Sequence, residues 1–173
     1  ITSDSRVDFS GNLELTGLYG NTRQKIGLYL DLSNQASLPN VKAVLENKGV
    51  ITATEQSTTA MQLNPGTKNG TVSGELINSG TINLNNSASH FNYHATGMQI
   101  LMPSSESGQA TVKIGNINVN GQTDDGVNVR SGYYGYFYDV PSNVILDGSN
   151  GTVVLNGSRN VGVNITRTMS PLG

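Results

Sequence analysis

The sequence predicts an all-β protein, a right-handed parallel β-helix (solenoid) of about five coils with ~35 residues each and with loop insertions. The main observation is a repeated pattern, Gly-x-apolar-x-apolar, whose copies begin at Gly11, Gly49, Gly80, Gly115 and Gly151. The steps between these glycines are 38, 31, 35 and 36 residues. A nearly constant period in this range is typical of repeat arrays. The pattern therefore indicates five structural units.

A second motif alternates with the first along the chain. It is a small residue followed by an apolar, a polar and an apolar residue, and its copies begin at Gly27, Ala60, Gly97, Gly126 and Gly162. A third, apolar stretch precedes each glycine motif, at 7–9, 43–45, 76–77, 112–114 and 144–146. Within the motifs, apolar and polar residues alternate with period two, which is typical of strands with one buried face. We therefore expect three short strands per unit.

The units are expected to stack rather than to form hairpins. Asn-Gly and Asp-Gly two-residue turns do not separate the strands at regular intervals, as they often do in hairpins. If each unit makes one coil, equivalent strands stack in parallel and form an inner ladder of Leu15, Ala53, Leu84, Val119 and Leu155. Right-handed coils follow from the general preference of connections between parallel strands.

Glycine and asparagine are expected at the corners between strands. The glycine that opens each first motif allows either a positive φ or close packing of the backbone. Asn47, Asn78 and Asn116 lie near these corners, where their amides can bond to turn backbone or stack as a ladder. A structural role is therefore expected for both residue types.

Composition narrows the class of function. Hydrophobic residues make up 35% of the chain and Trp is absent, which favours a narrow aliphatic core. Charged residues make up 13%, the net charge is −2, and no basic patch is evident, so nucleic acid is not an expected partner. The absence of cysteine excludes a disulfide framework, a thiolate zinc site and a cysteine nucleophile. We expect no cofactor and no metal.

Three segments depart from the repeat and are predicted to be loops. A three-strand unit needs only about 20–29 residues, which leaves 17–26, 86–96 and 131–140 as insertions. Any specific function is expected there, chiefly in 86–96 and 131–140. Residues 1–173 are expected to be a single segment excised from a longer protein, because the chain starts and stops within its own repeat.

Aromatic residues in two of these insertions are the candidate binding residues. The first group is Tyr133, Tyr134, Tyr136, Phe137 and Tyr138, and the second is His90, Phe91, Tyr93 and His94. Tyrosine beside Gly and Ser is typical of recognition surfaces. For the first group, an alternating strand whose rings pack on the wall is favoured over a binding surface. The two histidines lie in a sequence with turn chemistry and no nearby acidic third ligand, which favours an exposed loop over a metal site.

Carboxylates give no indication of a catalytic centre. Asp124 and Asp125 are adjacent, but the Gly-Gly-x-Gly-x-Asp repeats of calcium-binding β-rolls are absent. Alignment of the units predicts that Glu14, Glu46, Glu75 and Asp147 occupy different registers and face solvent, whereas a glycosidase or lyase needs such groups to converge. We therefore expect no catalytic residues.

Three segments resemble a known family of repeats. Residues 45–51 (LENKGVI) and 76–82 (LINSGTI), followed by 96–99 (TGMQ), are similar to the repeats in passenger domains of type V secreted autotransporters. This resemblance implies a right-handed parallel β-helix exported to the Gram-negative cell surface through a C-terminal β-barrel outside these residues. Family proteases carry a Gly-Asp-Ser-Gly-like motif and family esterases an N-terminal Gly-Asp-Ser. Ser149 comes nearest to these motifs but lacks the glycine that follows.

The expected function is therefore that of a non-catalytic segment of a surface adhesin or virulence passenger. It would act as a rigid stalk, and its partners would be a host cell-surface protein, a glycan or another copy of itself. Two alternatives stay open: a carbohydrate-active β-helix such as a polysaccharide lyase or tailspike-like module, and a self-associating β-helix. An enzyme should bring several carboxylates or basic residues together along one sheet, and a stalk should not.

Overall fold

The computed structural model describes residues 4–16, 25–32, 41–55, 58–64, 72–86, 95–102, 110–121, 125–131, 144–156 and 160–166. Fifteen strands and no helix occur within these ranges. The strands are β1 Ser5–Phe9, β2 Asn12–Leu15, β3 Lys25–Asp31, β4 Val41–Asn47, β5 Val50–Ala53, β6 Thr58–Asn64, β7 Val72–Asn78, β8 Thr81–Leu84, β9 Ala95–Met102, β10 Ala110–Lys113, β11 Asn116–Val119, β12 Asp125–Ser131, β13 Val144–Asp147, β14 Val153–Leu155 and β15 Val161–Thr166.

The strands form three parallel sheets, and each sheet takes one strand from every unit. Sheet A has the order β1-β4-β7-β10-β13, sheet B the order β2-β5-β8-β11-β14, and sheet C the order β3-β6-β9-β12-β15. Consecutive strands of the chain therefore lie in different sheets, and each strand pairs with its counterpart one unit away. The predictions of an all-β fold and of three strands per unit are confirmed. The arrangement is consistent with a parallel β-helix or solenoid.

The inner ladder of sheet B has the predicted members. Leu15 pairs with Ala53, Ala53 with Leu84, Leu84 with Val119, and Val119 with Leu155. The three middle residues are completely buried, whereas Leu155 in the last unit is 47% exposed. All three sheets contribute to the same aliphatic core cluster. The core is therefore built from layers, each of which is covered by the units on either side.

The small residue of the second motif is explained by packing between sheets B and C. The ladder of β3 and β6 pairs Ile26 with Thr59 and Leu28 with Met61, with Gly27 between the two pairs. A Cβ on Gly27 would lie 2.9 Å from the side chain of Leu13. A larger residue at this position would collide with the core of sheet B.

From the second unit onward, the glycine of the first motif is required by close backbone approach and not by a positive φ. None of the five motif glycines adopts the left-handed region, but a Cβ on Gly49 would overlap the carbonyl oxygen of Gly11. A Cβ on Gly80 would overlap the carbonyl oxygen of Gly49 in the same way. The N–H of Thr81 donates to that oxygen at 2.9 Å, so the close approach belongs to the hydrogen bonding between units.

Two of the three predicted corner asparagines form an amide ladder. Asn47 Nδ2 donates to Asn78 Oδ1 at 2.8 Å, and Asn47 Oδ1 accepts the N–H of Gly49 at 3.0 Å. Asn116 takes part only through its backbone carbonyl, which accepts from Asn78 Nδ2 at 3.2 Å. The reason is position: Asn47 and Asn78 end strands of sheet A, whereas Asn116 begins β11 of sheet B.

Candidate functional site

The predicted binding residues lie outside the part of the chain that the structure describes. These are Tyr133, Tyr134, Tyr136, Phe137, Tyr138, His90, Phe91, Tyr93 and His94. The predicted insertions also overlap the strands at their ends. Lys25 and Ile26 begin β3, Ala95 and Thr96 begin β9, and Ser131 ends β12.

The described residues contain a different group of polar side chains, on the outer face of sheet A. We call it the charged face, and its members are Arg6, Asp8, Lys42, Glu46, Lys48, Glu75, Lys113 and Asp147. The prediction of different registers is wrong for Glu46 and Asp147 but correct for Glu75, which pairs with Val44. The prediction of solvent-facing side chains is wrong for Glu46 and Glu75. Asp8 pairs with Glu46 and Lys113 with Asp147 in one ladder, and the side chains of Glu46 and Glu75 are buried.

Glu46 is held by groups from three units. Arg6 forms an ion pair with Glu46 Oε2, and the hydroxyl of Ser79 donates to Glu46 Oε1. Arg6 Nε also lies 2.8 Å from Asp8 Oδ1. Lys48 Nζ lies 2.7 Å from Asp8 Oδ2 and 3.9 Å from Glu46 Oε2. Each charge in this group has at least one opposite charge within the same group.

Glu75 lies between two lysines from the units on either side. Lys113 Nζ of β10 contacts Glu75 Oε1 at 2.8 Å, and Lys42 Nζ of β4 contacts Glu75 Oε2. The Glu75 side chain is 4% exposed, whereas those of Lys42 and Lys113 are 52% and 46% exposed. The lysines therefore cover the carboxylate, and the three side chains connect three successive units.

The surroundings of Glu75 keep its carboxyl ionised. Burial raises the pKa of Glu75, but hydrogen bonds from Lys113 and Lys42, together with their charges, outweigh it and lower the pKa overall. The hydrogen bond to Glu75 and the Glu75 charge raise the pKa of Lys113. Both partners are thus fixed in their charged forms near neutral pH.

Two further carboxyls of the charged face have lowered pKa values. Hydrogen bonding from Lys48 lowers the pKa of Asp8, and the charges of Arg6 and Lys48 act in the same direction. Hydrogen bonds from the hydroxyl and the backbone N–H of Ser149 lower the pKa of Asp147. A general acid needs a carboxyl whose pKa is raised towards the working pH, so these groups are poorly suited to that role.

Unequal corners explain why the sequence alignment missed the charged face. The corner from sheet A to sheet B spans five residues from Glu46 to Ile51, but four from Lys113 to Ile117 and six from Asp147 to Val153. When the units are aligned on the glycine before each strand of sheet B, the sheet A residues of the fourth unit are out of register by one residue. Those of the fifth unit are out of register by one residue in the opposite direction. A displacement of one residue moves a side chain to the other face of the sheet.

Comparison of the chain with protein families, curated proteins and solved structures found no match. In the described ranges no helix is both long enough and apolar enough to span a membrane. Over the same ranges, no group of three or more His, Cys, Asp or Glu side chains could hold a metal ion. The three sheets therefore establish the architecture of the described residues, and the charged face is the main polar feature of that architecture.

Replacement of Glu75 tests the contribution of the charged face. We expect Glu75→Gln to lower the free energy of unfolding by about 1–2 kcal/mol near pH 7, because two lysines lose their partner. Folding lowers the pKa of Glu75, so its stabilisation is present above the ordinary value of 4.5 and is lost as the pH falls through the lower folded value. Urea unfolding of both proteins at about pH 7 and about pH 3 should therefore give a difference that shrinks in acid.

Glu14→Gln is the matched control for this experiment. Glu14 is an exposed carboxylate in β2, opposite Thr52, so its replacement is expected to change stability by less than about 0.5 kcal/mol. Equal effects of the two substitutions at about pH 7 would contradict a stabilising role for Glu75.

Proposed function

We propose that the chain forms a right-handed parallel β-helix and serves as a non-catalytic stalk segment of an exported cell-surface adhesin. The observation that carries this proposal is the stacking of five units in one continuous register through three parallel sheets. Such an arrangement is extended by adding units, and each unit contacts only its neighbours. The resemblance of 45–51 and 76–82 to autotransporter passenger repeats supports export and surface location, and the right hand follows from the preference of parallel connections.

The polar side chains of the described faces bond mainly to one another across units. Asn118 donates to Asn83 at 2.9 Å, and Asn156 donates to Asn120 at 2.8 Å. Glu46 and Glu75 are likewise held by arginine, serine and lysine of adjacent units. Side chains used in this way cross-link the stack, which suits a rigid spacer. A host protein, a glycan or a second copy would then bind elsewhere on the same surface protein or in its insertions.

One observation favours the alternative of a carbohydrate-active enzyme. Carboxylates and basic residues do converge on sheet A, as a polysaccharide lyase or hydrolase would require. Against catalysis, Asp8, Glu75 and Asp147 have lowered pKa values and are held by partners. The stalk is therefore the function that we infer.

Two measurements on the 173-residue chain distinguish these functions. Placed between a surface anchor and a fluorescent epitope, the chain should raise the epitope by about 24 Å, since five units each add about 4.8 Å. Energy transfer to a membrane dye measures this height, with a direct fusion as reference. An unchanged height would contradict the stalk. Release of reducing or unsaturated ends from a panel of acidic and neutral polysaccharides, abolished by Glu46→Gln or Glu75→Gln, would establish the enzyme instead.

A further inference from the structure

Four polar side chains form a compact group on sheet C. Tyr29 and Asp31 belong to β3, and Gln62 and Asn64 belong to β6. Tyr29 pairs with Gln62 and Asp31 pairs with Asn64 in the parallel ladder. Because side chains two residues apart lie on the same face of a strand, all four share one face. We call this group the β3–β6 polar cluster.

Two oxygen atoms of this cluster are buried without a donor. Gln62 Oε1 and Asn64 Oδ1 have no hydrogen-bond partner, and Gln62 is only 3% exposed. A buried acceptor left without a partner is costly, and an ordered water or an ion is one of the explanations for such a group in a native protein. Two of them on adjacent residues of one strand face point to a bound species with positive charge or with donor groups.

The other members of the cluster determine its charge. The Tyr29 hydroxyl is hydrogen-bonded with the side chains of Asn64, Asp31 and Gln62. The two amides donate their N–H groups to it, which leaves the amide oxygens without a donor. Burial raises the pKa of Tyr29, and the Asp31 carboxylate raises it further, whereas the hydrogen bond from Asn64 lowers it. The pKa is raised overall, so the phenol is neutral near pH 7. The charge within the cluster is therefore that of Asp31 alone.

We propose that the β3–β6 polar cluster binds a calcium ion. Its ligands are the Asp31 carboxylate, Gln62 Oε1 and Asn64 Oδ1, and waters complete the shell. Carboxylate and amide oxygens are the ligands that Ca²⁺ prefers, and its flexible geometry suits a site between two strands better than the strict octahedron of Mg²⁺. With one carboxylate, the dissociation constant belongs in the weak extracellular range of about 10⁻⁴–10⁻³ M.

Terbium luminescence tests this site directly. Tb³⁺ occupies oxygen-ligand sites for Ca²⁺ and emits when an excited tyrosine lies close by. Since the chain contains no Trp, tyrosine is its sensitiser. Titration of the full chain with Tb³⁺ should give saturable emission that Ca²⁺ displaces at lower concentration than Mg²⁺. Independently, Ca²⁺ at about ten times its dissociation constant should raise the unfolding temperature by roughly 3–6 °C.

Single substitutions separate the site from other carboxylates. Asp31→Asn should weaken binding at least tenfold, whereas Glu14→Gln should leave it unchanged. Tyr29→Phe should remove most of the emission but keep the thermal shift with Ca²⁺. Gln62→Glu should tighten Ca²⁺ binding about tenfold by adding a second carboxylate, a gain that a folding defect cannot produce.

Three outcomes would overturn the proposal. The first is the absence of saturable emission and of a Ca²⁺-dependent thermal shift, which would leave ordered water as the partner of the two oxygens. The second is emission that survives both Asp31→Asn and Tyr29→Phe, which would place the ion elsewhere. The third is a Gln62→Glu variant that folds, as judged by circular dichroism, but gains no affinity.

Discussion

Leu84→Ala is expected to lower the free energy of unfolding by about 2–5 kcal/mol. Leu84 is completely buried in β8, and its ladder neighbours Ala53 and Val119 are completely buried as well. Removal of the side chain leaves a cavity in the middle layer, which the paired strands cannot close without breaking their own hydrogen bonds. The urea unfolding midpoint measures the loss, with an unchanged slope indicating that the same surface is exposed on unfolding.

Leu155→Ala is the matched control, since Leu155 occupies the same ladder in the last unit. Its side chain is 47% exposed, so a smaller part of it leaves water on folding. We expect a loss of about 1 kcal/mol, clearly below that of Leu84→Ala. Similar losses at the two positions would mean that the ladder is not covered layer by layer as the structure indicates.

Gly80→Ala is expected to cost about 3 kcal/mol, at the upper end of the range for overpacking. The added Cβ would overlap the carbonyl oxygen of Gly49 and lie 2.8 Å from the carbonyl carbon of Lys48. Both neighbours are backbone atoms of the adjacent unit, so no side-chain rotation relieves the contact. The strands must separate, and the 2.9 Å hydrogen bond from Thr81 N–H to Gly49 weakens. Urea unfolding again measures the effect.

Two other glycines serve as controls for this substitution. A Cβ on Gly148 meets nothing within 4 Å, and a Cβ on Gly11 meets only the Phe9 ring, 3.4 Å away. Neither residue has a positive φ, so alanine at these positions should be neutral or stabilising by up to about 1 kcal/mol. A loss at Gly148 equal to that at Gly80 would show that flexibility, and not close packing, explains the motif.

The parts of the fold that depend on short-range pattern were predictable from the sequence. Alternation with period two located the strands, and the glycine spacing paired Leu15 with Ala53 and Leu84 with Val119. These features are repeated in every unit, so a single irregularity does not hide them. Asn47, Asn78 and Asn116 were expected to bond to turn backbone or to stack as an amide ladder, and Asn47 and Asn78 form that ladder.

The polar groups were less predictable, because each depends on an irregularity or on a contact between units. The corner from sheet A to sheet B is one residue shorter in the fourth unit and one residue longer in the fifth than in the second. This difference in length concealed the ladder that contains Glu46 and Lys113. The period-two pattern places Gln62 on the outer face of its strand and so predicts that it faces solvent. Nothing in that pattern indicates that its side chain is buried. The aromatic insertions, at 86–96 and 131–140, stay predictions, since their candidate residues lie outside the described ranges.

The position of Glu75 between two lysines bears on how the strands find their correct alignment. Aliphatic ladders tolerate a slip of two residues, because such a slip keeps the same face inside. In the observed register Glu75 pairs with Val44, and a slip of two residues in one direction would set it directly beside Glu46. Two carboxylates would then face each other with little solvent, and like charges in that position are destabilising. Electrostatic repulsion thus discriminates against a misaligned stack that hydrophobic burial alone would accept.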